Sequence, residues 1–166
     1  MSAKEKYIQL YQTMADLCEQ EGWGDPFSYA RSKEIYAACI HGHKMPGPSD
    51  YSGADAINQN GEGVEYKSTI GTKIKGSYTG ISVQPTWEEQ DKYLREEKIV
   101  KYPEHYYNRF EEGKLVESWK LTGQQVYDIL MPKLKKKFST VLSQKAPRLS
   151  ATVTTSEIQK HGVRVL

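Results

Sequence analysis

Asp55 is followed ten residues later by the triplet Glu65-Tyr66-Lys67, two carboxylates with a lysine just beyond the second. Those residue types suit metal-dependent cleavage of a phosphodiester. Carboxylate oxygens are hard ligands for Mg²⁺, which keeps several of its waters and takes remaining oxygens from substrate phosphate. Lys67 falls on the same strand face as Glu65. From there it can polarise an attacking water or neutralise charge that develops on the phosphorane. An acid-x-Lys triplet is weak on its own in so charged a chain, and it occurs three times, at Glu65/Lys67, Glu96/Lys98 and Glu112/Lys114. Glu96 sits in a polar helical stretch and Glu112 at a turn, and neither has an aspartate about ten residues upstream. Glu65 lies in a strand-like run, after a turn signal, with Asp55 within hairpin reach. The bland alternative is an exposed hairpin face with cross-strand charge pairing.

The pairing register decides between these readings. Asn60-Gly61 is the strongest local hairpin signal in the chain. A simple two-residue turn there would set Asp55 against Tyr66 and leave it on the opposite face from Glu65. Both carboxylates reach one metal only across an odd-length loop or a bulge, which Gly61 or Gly63 permits.

The elements that must carry these residues follow from periodicity and punctuation. Tyr7, Leu10, Tyr11, Met14, Leu17 and Cys18 recur at helical spacing, with Gly22 as a stop. A second helix is expected over Phe27–Ile40, with Ala30, Ile35, Ala38 and Ile40 inward and Gly42 as terminator. Residues 44–53 read as a loop from their Pro, Gly, Ser and Asp content. Two short strands flank Asn60-Gly61, and residues 77–84 read as another. Thr86-Trp87-Glu88-Glu89 opens a charged helix to about Lys98. A hairpin, 105–111 and 114–121, turns at Glu112-Gly113. Thr122 and Gln125 form a capping box for a helix bearing Val126, Ile129, Leu130, Leu134 and Phe138, which Pro132 should kink or interrupt. Leu149–Thr155 and Val163–Leu166 read as strands. No repeat, low-complexity segment or linker interrupts the 166 residues, so one α/β domain with a sheet that is not purely parallel is expected.

Composition narrows the class. With 37% hydrophobic and 27% charged residues the chain is globular, and no apolar run is long enough to span a membrane. No apolar signal core follows the N-terminus, and Cys18 and Cys39 read as reduced core thiols, so a cytoplasmic protein is expected. The net charge of +2 is unevenly spread. Eight basic residues against Glu157 leave Lys133–Leu166 at +7 and everything before it at −5. Local potential, not net charge, attracts a polyanion, although the same pattern also describes a solvated helix face with a basic tail.

The stretch SGADAINQNGEGVEYKS resembles the active-site segment of type II restriction endonucleases of the PD-(D/E)XK superfamily, the PvuII type in particular. The spacing from Asp55 to Glu65 and Lys67 matches without a gap. Looser similarity continues at Lys75-Gly76, at Thr79 followed by Pro85, through the hairpin-to-helix stretch 114–138, and at His161-Gly162 with Arg164. The resemblance implies a mixed β-sheet flanked by helices, with residues 1–45 helical and used for dimerisation, and 46–166 as catalytic and DNA-binding core. It implies that Asp55 and Glu65 bind Mg²⁺ with the Tyr66 carbonyl, and that Lys67 assists the hydrolytic water. It implies a homodimer that cuts both strands of double-stranded DNA at a specific site, with a cognate DNA methyltransferase as a further partner. The DNA contacts it suggests are Lys73, Lys75, Thr79, Gly80, Ile81, Ser82 and Gln84, with His161 and Arg164 of the basic tail. The chain departs from the pattern at Ala54, where a proline is expected, and at Gly80-Ile81-Ser82, where the PvuII type has a histidine run; a different target sequence, or none, is expected.

Two other functions share these features. One is a repair, junction-resolving or homing nuclease of the same fold. The other is a DNA-binding module whose acidic pair is structural. His41-Gly42-His43 follows a helix end and reads as a surface turn. The Lys135-Lys136-Lys137 run fits a solvated helix end as well as it fits a DNA contact.

Overall fold

The structure, a computed structural model, describes residues 1–47 and 53–166. It is a mixed α/β fold. Helices α1 (Ala3–Glu21) and α2 (Arg31–His41) precede strands β1 (Ala56–Ile57), β2 (Gly63–Ile70) and β3 (Gly76–Ser82). Helix α3 (Trp87–Tyr93) runs into a π-helical turn, Leu94–Lys98. Strands β4 (Glu104–Glu111) and β5 (Lys114–Thr122), helix α4 (Gly123–Leu142), strand β6 (Arg148–Val153), helix α5 (Thr155–His161) and strand β7 (Val163–Arg164) complete the chain.

Five strands form one sheet in the order β1-β2-β4-β5-β7. β2 and β4 are parallel and the other neighbours antiparallel. Parallel neighbours need a long crossover, and here it carries β3 and α3. β3 pairs with β6 in a separate two-stranded ribbon. Side-chain alternation sends Val64, Tyr66 and Tyr106 to one face of the sheet, where they pack with Ala37 and Ala38 of α2. The opposite face packs Tyr107 and Leu121 against Leu130 and Leu134 of α4 and against the inner side of the ribbon, Tyr78, Ile81, Leu149 and Val153.

Four helices begin with a reciprocal capping box: Ser2/Glu5, Thr86/Glu89, Thr122/Gln125 and Thr154/Glu157. The last starts α5 where the β-branched run to Thr155 suggested that the strand continues. α2 starts at Arg31, later than Phe27, because Ser28–Ala30 turn and Tyr29 takes a positive φ of 46°. Ile40, expected inward, is 51% exposed, and Ala37 takes the buried place. Pro132 does not divide α4, which runs unbroken for 20 residues with Leu130, Leu134 and Phe138 packed on either side of it. Cys39 is exposed and not a core thiol, whereas Cys18 is buried. The loop read over 44–53 partly lies outside the described residues, and Lys44 bridges to Ile57 at the sheet margin. No helix among the described residues is long and apolar enough to cross a membrane.

Apart from Tyr11, which stacks on Phe27 at 3.7 Å, most of the apolar face of α1 is left uncovered by the described residues. Tyr7, Leu10, Met14 and Leu17 are exposed, while Cys18 alone in this helix is buried. The contrast between covered and uncovered apolar residues has a measurable consequence. Leu130→Ala, at a fully buried position, should lower unfolding free energy in urea by about 2–5 kcal/mol. Ile40→Ala should stay within about 0.5 kcal/mol of the parent.

Candidate active site

The loop 58–62 joins Ile57 to its partner Gly63, an odd-length connection of five residues. Asn58 holds it closed: its Oδ1 accepts the main-chain N–H groups of Asn60 and Glu62, both at 3.0 Å, and Gly61 supplies a φ of 80°. Ala56 therefore lies opposite Val64. Just ahead of β1, the Asp55 N–H donates to the Val64 carbonyl at 2.9 Å, which anchors Asp55 beside β2. This is the odd-length loop that a shared metal demands, and a regular two-residue turn at Asn60-Gly61 is not what forms.

Asp55 Oδ2 accepts the Tyr66 N–H at 2.8 Å. Lys67 Nζ is ion-paired with Glu65 Oε1. These side chains open into a cleft of about 300 Å³ whose other wall is Ser77 and Thr79 of β3. Lys98 and Tyr102, at the end of the crossover, close one side. Lys98 belongs to a triplet that sequence context rejected. The π-helical turn brings its lysine to the cleft while Glu96 stays outside, exposed beside Lys92. Glu34 of α2, not distinguished by any local motif, adds a third negative charge close enough to act on Asp55 and Glu65; Arg31 pairs with it at 3.1 Å. Burial, then Glu65, then Glu34 push the Asp55 carboxyl up to about 8.

The donor set fits Mg²⁺. Among the described residues no three His, Cys, Asp or Glu side chains converge as a complete ligand set. Two carboxylates and a main-chain carbonyl are nevertheless what Mg²⁺ takes from a protein when substrate phosphate and water supply the rest. A buried, proton-holding Asp55 beside Glu65 is also the electrostatic signature of a place short of positive charge. Tyr66 can contribute only its main chain, because its ring lies on the other face with its hydroxyl 2.6 Å from His43 Nδ1.

Lys67 is held from beneath. Its Nζ sits 4.7 Å from the centre of the Tyr78 ring. The Tyr78 hydroxyl lies 2.8 Å from His105 Nδ1 and 2.9 Å from the Tyr107 hydroxyl, and His105 Nε2 donates to the Ile99 carbonyl at 2.9 Å. That last bond fixes the tautomer, so Tyr78 donates to Nδ1 and accepts from Tyr107. Burial holds the His105 pKa down to about 4, leaving a neutral ring behind the lysine. Gly76 has no room for a side chain, since a Cβ there would collide with the Tyr107 ring and come 3.3 Å from Lys67 Cγ.

The expected DNA contacts fall in three places. Lys73 and Lys75 are exposed ahead of β3, and Thr79 and Gly80 are exposed on it. A register shift between Tyr78 and Ile81, with Gly80 at φ 67°, turns Ile81 inward. Ile81 is 5% exposed in the main core and its side chain does not face outward as expected. The Ser82 carbonyl and the Gln84 N–H are both engaged by the buried Gln90 side chain, at 3.2 and 2.8 Å. His161 and Arg164 lie at the β5–β7 edge, with β4 and β5 between Arg164 and β2. The fold does not bring them to the cleft. His41 and His43 are half-buried and not a free surface turn: Ser118 Oγ lies 3.2 Å from His41 Nε2, and His43 meets Tyr66.

No protein-family model matches this sequence, and no curated protein is significantly similar to it.

The raised Asp55 pKa carries a stability consequence. Between its ordinary 3.8 and about 8, the folded chain holds a proton on Asp55 that the unfolded chain has released. Stability contributed by this group therefore falls as pH rises across that window. In chelator, the melting temperature of the wild type relative to Asp55→Asn should decline from about pH 5 to about pH 8. Adding Mg²⁺ at the upper end should raise the wild type and leave Asp55→Asn nearly unmoved.

Proposed function

We propose that this chain is a Mg²⁺-dependent, site-specific endonuclease of the restriction type that hydrolyses both strands of double-stranded DNA as a homodimer. The observation that carries the reading is the odd-length β1–β2 connection, which leaves Asp55, just ahead of β1, lining one cleft with Glu65 and Lys67 of β2. Asp55, Glu65 and the Tyr66 carbonyl would hold Mg²⁺. Bound there, the ion would supply Lewis-acid stabilisation of phosphate charge and make water acidic enough to attack at neutral pH. Lys67 orients that water and balances negative charge gathering on the phosphoryl oxygens. Water adds in line to phosphorus, the bond to the 3′ oxygen breaks, and the products are a 5′-phosphate and a 3′-hydroxyl. The Tyr78 ring keeps the Lys67 ammonium aimed at the reacting centre, a fixed placement worth more than a mobile charge.

Plasmid DNA incubated with Mg²⁺ tests the chemistry. Wild type should give discrete linear fragments, and Asp55→Ala and Lys67→Ala should lower the rate by about 10²–10⁴-fold. Equal cleavage by all three would remove the assignment of this site. Binding with no cleavage by any would favour a DNA-binding module, and preference for branched substrates a repair or junction-resolving enzyme. A site-specific nuclease would work in the cytoplasm beside a methyltransferase that protects the host's own sites.

The uncovered face of α1 supports the dimer. Tyr7, Leu10, Met14 and Leu17 form an apolar stripe on a helix that buries almost nothing within its own chain, and a second copy would cover it and set two cleavage sites on one duplex. Sedimentation should give twice the 19.0 kDa chain mass for the wild type, and a Leu10→Glu/Leu17→Glu double variant should sediment as a monomer that still melts cooperatively.

A further inference from the structure

We infer that the groove between α4 and the β3–β6 ribbon is a second phosphate-binding subsite, which holds the backbone of the DNA strand as it leaves the catalytic cleft. The inference rests on the nuclease reading and adds a site to it.

Alternation along the ribbon separates two chemistries. Tyr78, Leu149 and Ala151 face the core, while Ser77, Thr79 and Ser150 turn outward and Thr152 is half-buried beside them. The outward face is thus a floor of hydroxyls, with Ser77 Oγ 3.3 Å from Thr152 Oγ1 across the strands. Ser77 and Thr79 line the catalytic cleft and also line a larger groove of about 650 Å³ that runs on beneath α4. The two depressions therefore share Ser77 and Thr79 as a common border.

Lysines of α4 form the opposite wall. Lys133 Nζ donates to the Thr152 carbonyl at 2.8 Å and Lys137 Nζ to the Ser150 carbonyl at 2.7 Å. Among the described residues β6 pairs only with β3, so these bonds also cover an open strand edge. Covering an edge does not cancel charge. Glu157 neutralises Lys133 at 2.7 Å, but a carbonyl leaves Lys137 cationic, and Lys136 has no ion pair among the described residues. No carboxylate lines the groove. The Lys135-Lys136-Lys137 run is divided by the helix: Lys135 lies 5.6 Å from the Trp87 ring centre, and its two neighbours face the hydroxyl floor. Lysine and Ser/Thr hydroxyls are donors used for phosphate oxygens, which position a strand without reading its sequence. A trough that shares a border with the cleft suits a polymer whose charges repeat along its length, not a single small anion.

Fluorescence anisotropy of a labelled 30-base-pair duplex in EDTA, titrated over about 50–200 mM salt, tests this. Lys136→Gln should weaken binding about three- to tenfold and reduce the salt slope by about 0.9, the signature of one lost phosphate contact. Lys136→Glu should weaken it further, and Lys114→Gln, at the distant β4–β5 turn, should match the wild type. Lys136 is exposed, so these variants should melt with the parent, and circular dichroism checks that they do. Wild-type affinity and slope in both Lys136 variants, while the wild type cleaves plasmid with Mg²⁺, overturn the groove and leave the nuclease standing. No duplex binding and no cleavage by the wild type overturn both.

Discussion

Burying a carboxylate next to another carboxylate is costly, and the arrangement of this molecule makes the cost unavoidable. Asp55 hangs from a two-residue strand whose register is fixed by a closed loop, so it cannot rotate away from Glu65 without breaking the Val64 and Tyr66 hydrogen bonds. The loop is itself held by a single side chain, Asn58, which satisfies two main-chain donors at once. Glu34 adds to the charge from α2, and Lys67 offsets part of it from the same strand. Charge geometry of this kind is stable only when a proton or a cation completes it.

The sheet separates two tasks by its pleat. On β2, Val64 and Tyr66 anchor α2 through the smaller core, and Glu65 and Lys67 open to the cleft. On β4, Tyr106 joins the first set while His105 and Tyr107 support the second from below. Adjacent residues thus serve different faces, and the parallel β2–β4 pairing aligns Glu65 with His105 and Lys67 with Tyr107. The buried tyrosine–histidine chain has every ring polar atom partnered, which makes it rigid. A rigid floor beneath a lysine limits where its charge can go.

Much of this was legible in the residues. Spacing located Asp55, Glu65 and Lys67 and stated the loop parity they require. The Thr122/Gln125 box and the Glu112-Gly113 turn marked α4 and the β4–β5 hairpin. What escaped detection depended on the third dimension. Glu34 carries no local motif, and Lys98 sits in an acid-x-Lys triplet that lacks an upstream aspartate; only packing of α2 sets the one near the carboxylates, and only the π-helical turn brings the other to the cleft. The inward turn of Ile81 follows from a bulge at Gly80 that period-two reading does not anticipate. The start of α5 at the Thr154/Glu157 box falls inside a β-branched run, Thr152 to Thr155, that reads as strand. The remoteness of His161 and Arg164 is a matter of strand order, which spacing along the chain does not encode.

Strand β3, one wall of the cleft, has no partner in the main sheet and is held by β6, which follows it only after α3, β4, β5 and α4. The carboxylates and the lysine sit on elements joined by a short loop, but the surface facing them awaits a distant contact. That wall is missing from any chain in which β3 and β6 have not yet met. Long-range pairing of this sort is late and slow to form. The cleft thus gains its second wall only through a pairing that spans α3, β4, β5 and α4, and its enclosure belongs to the whole fold, not to the segment that carries the carboxylates.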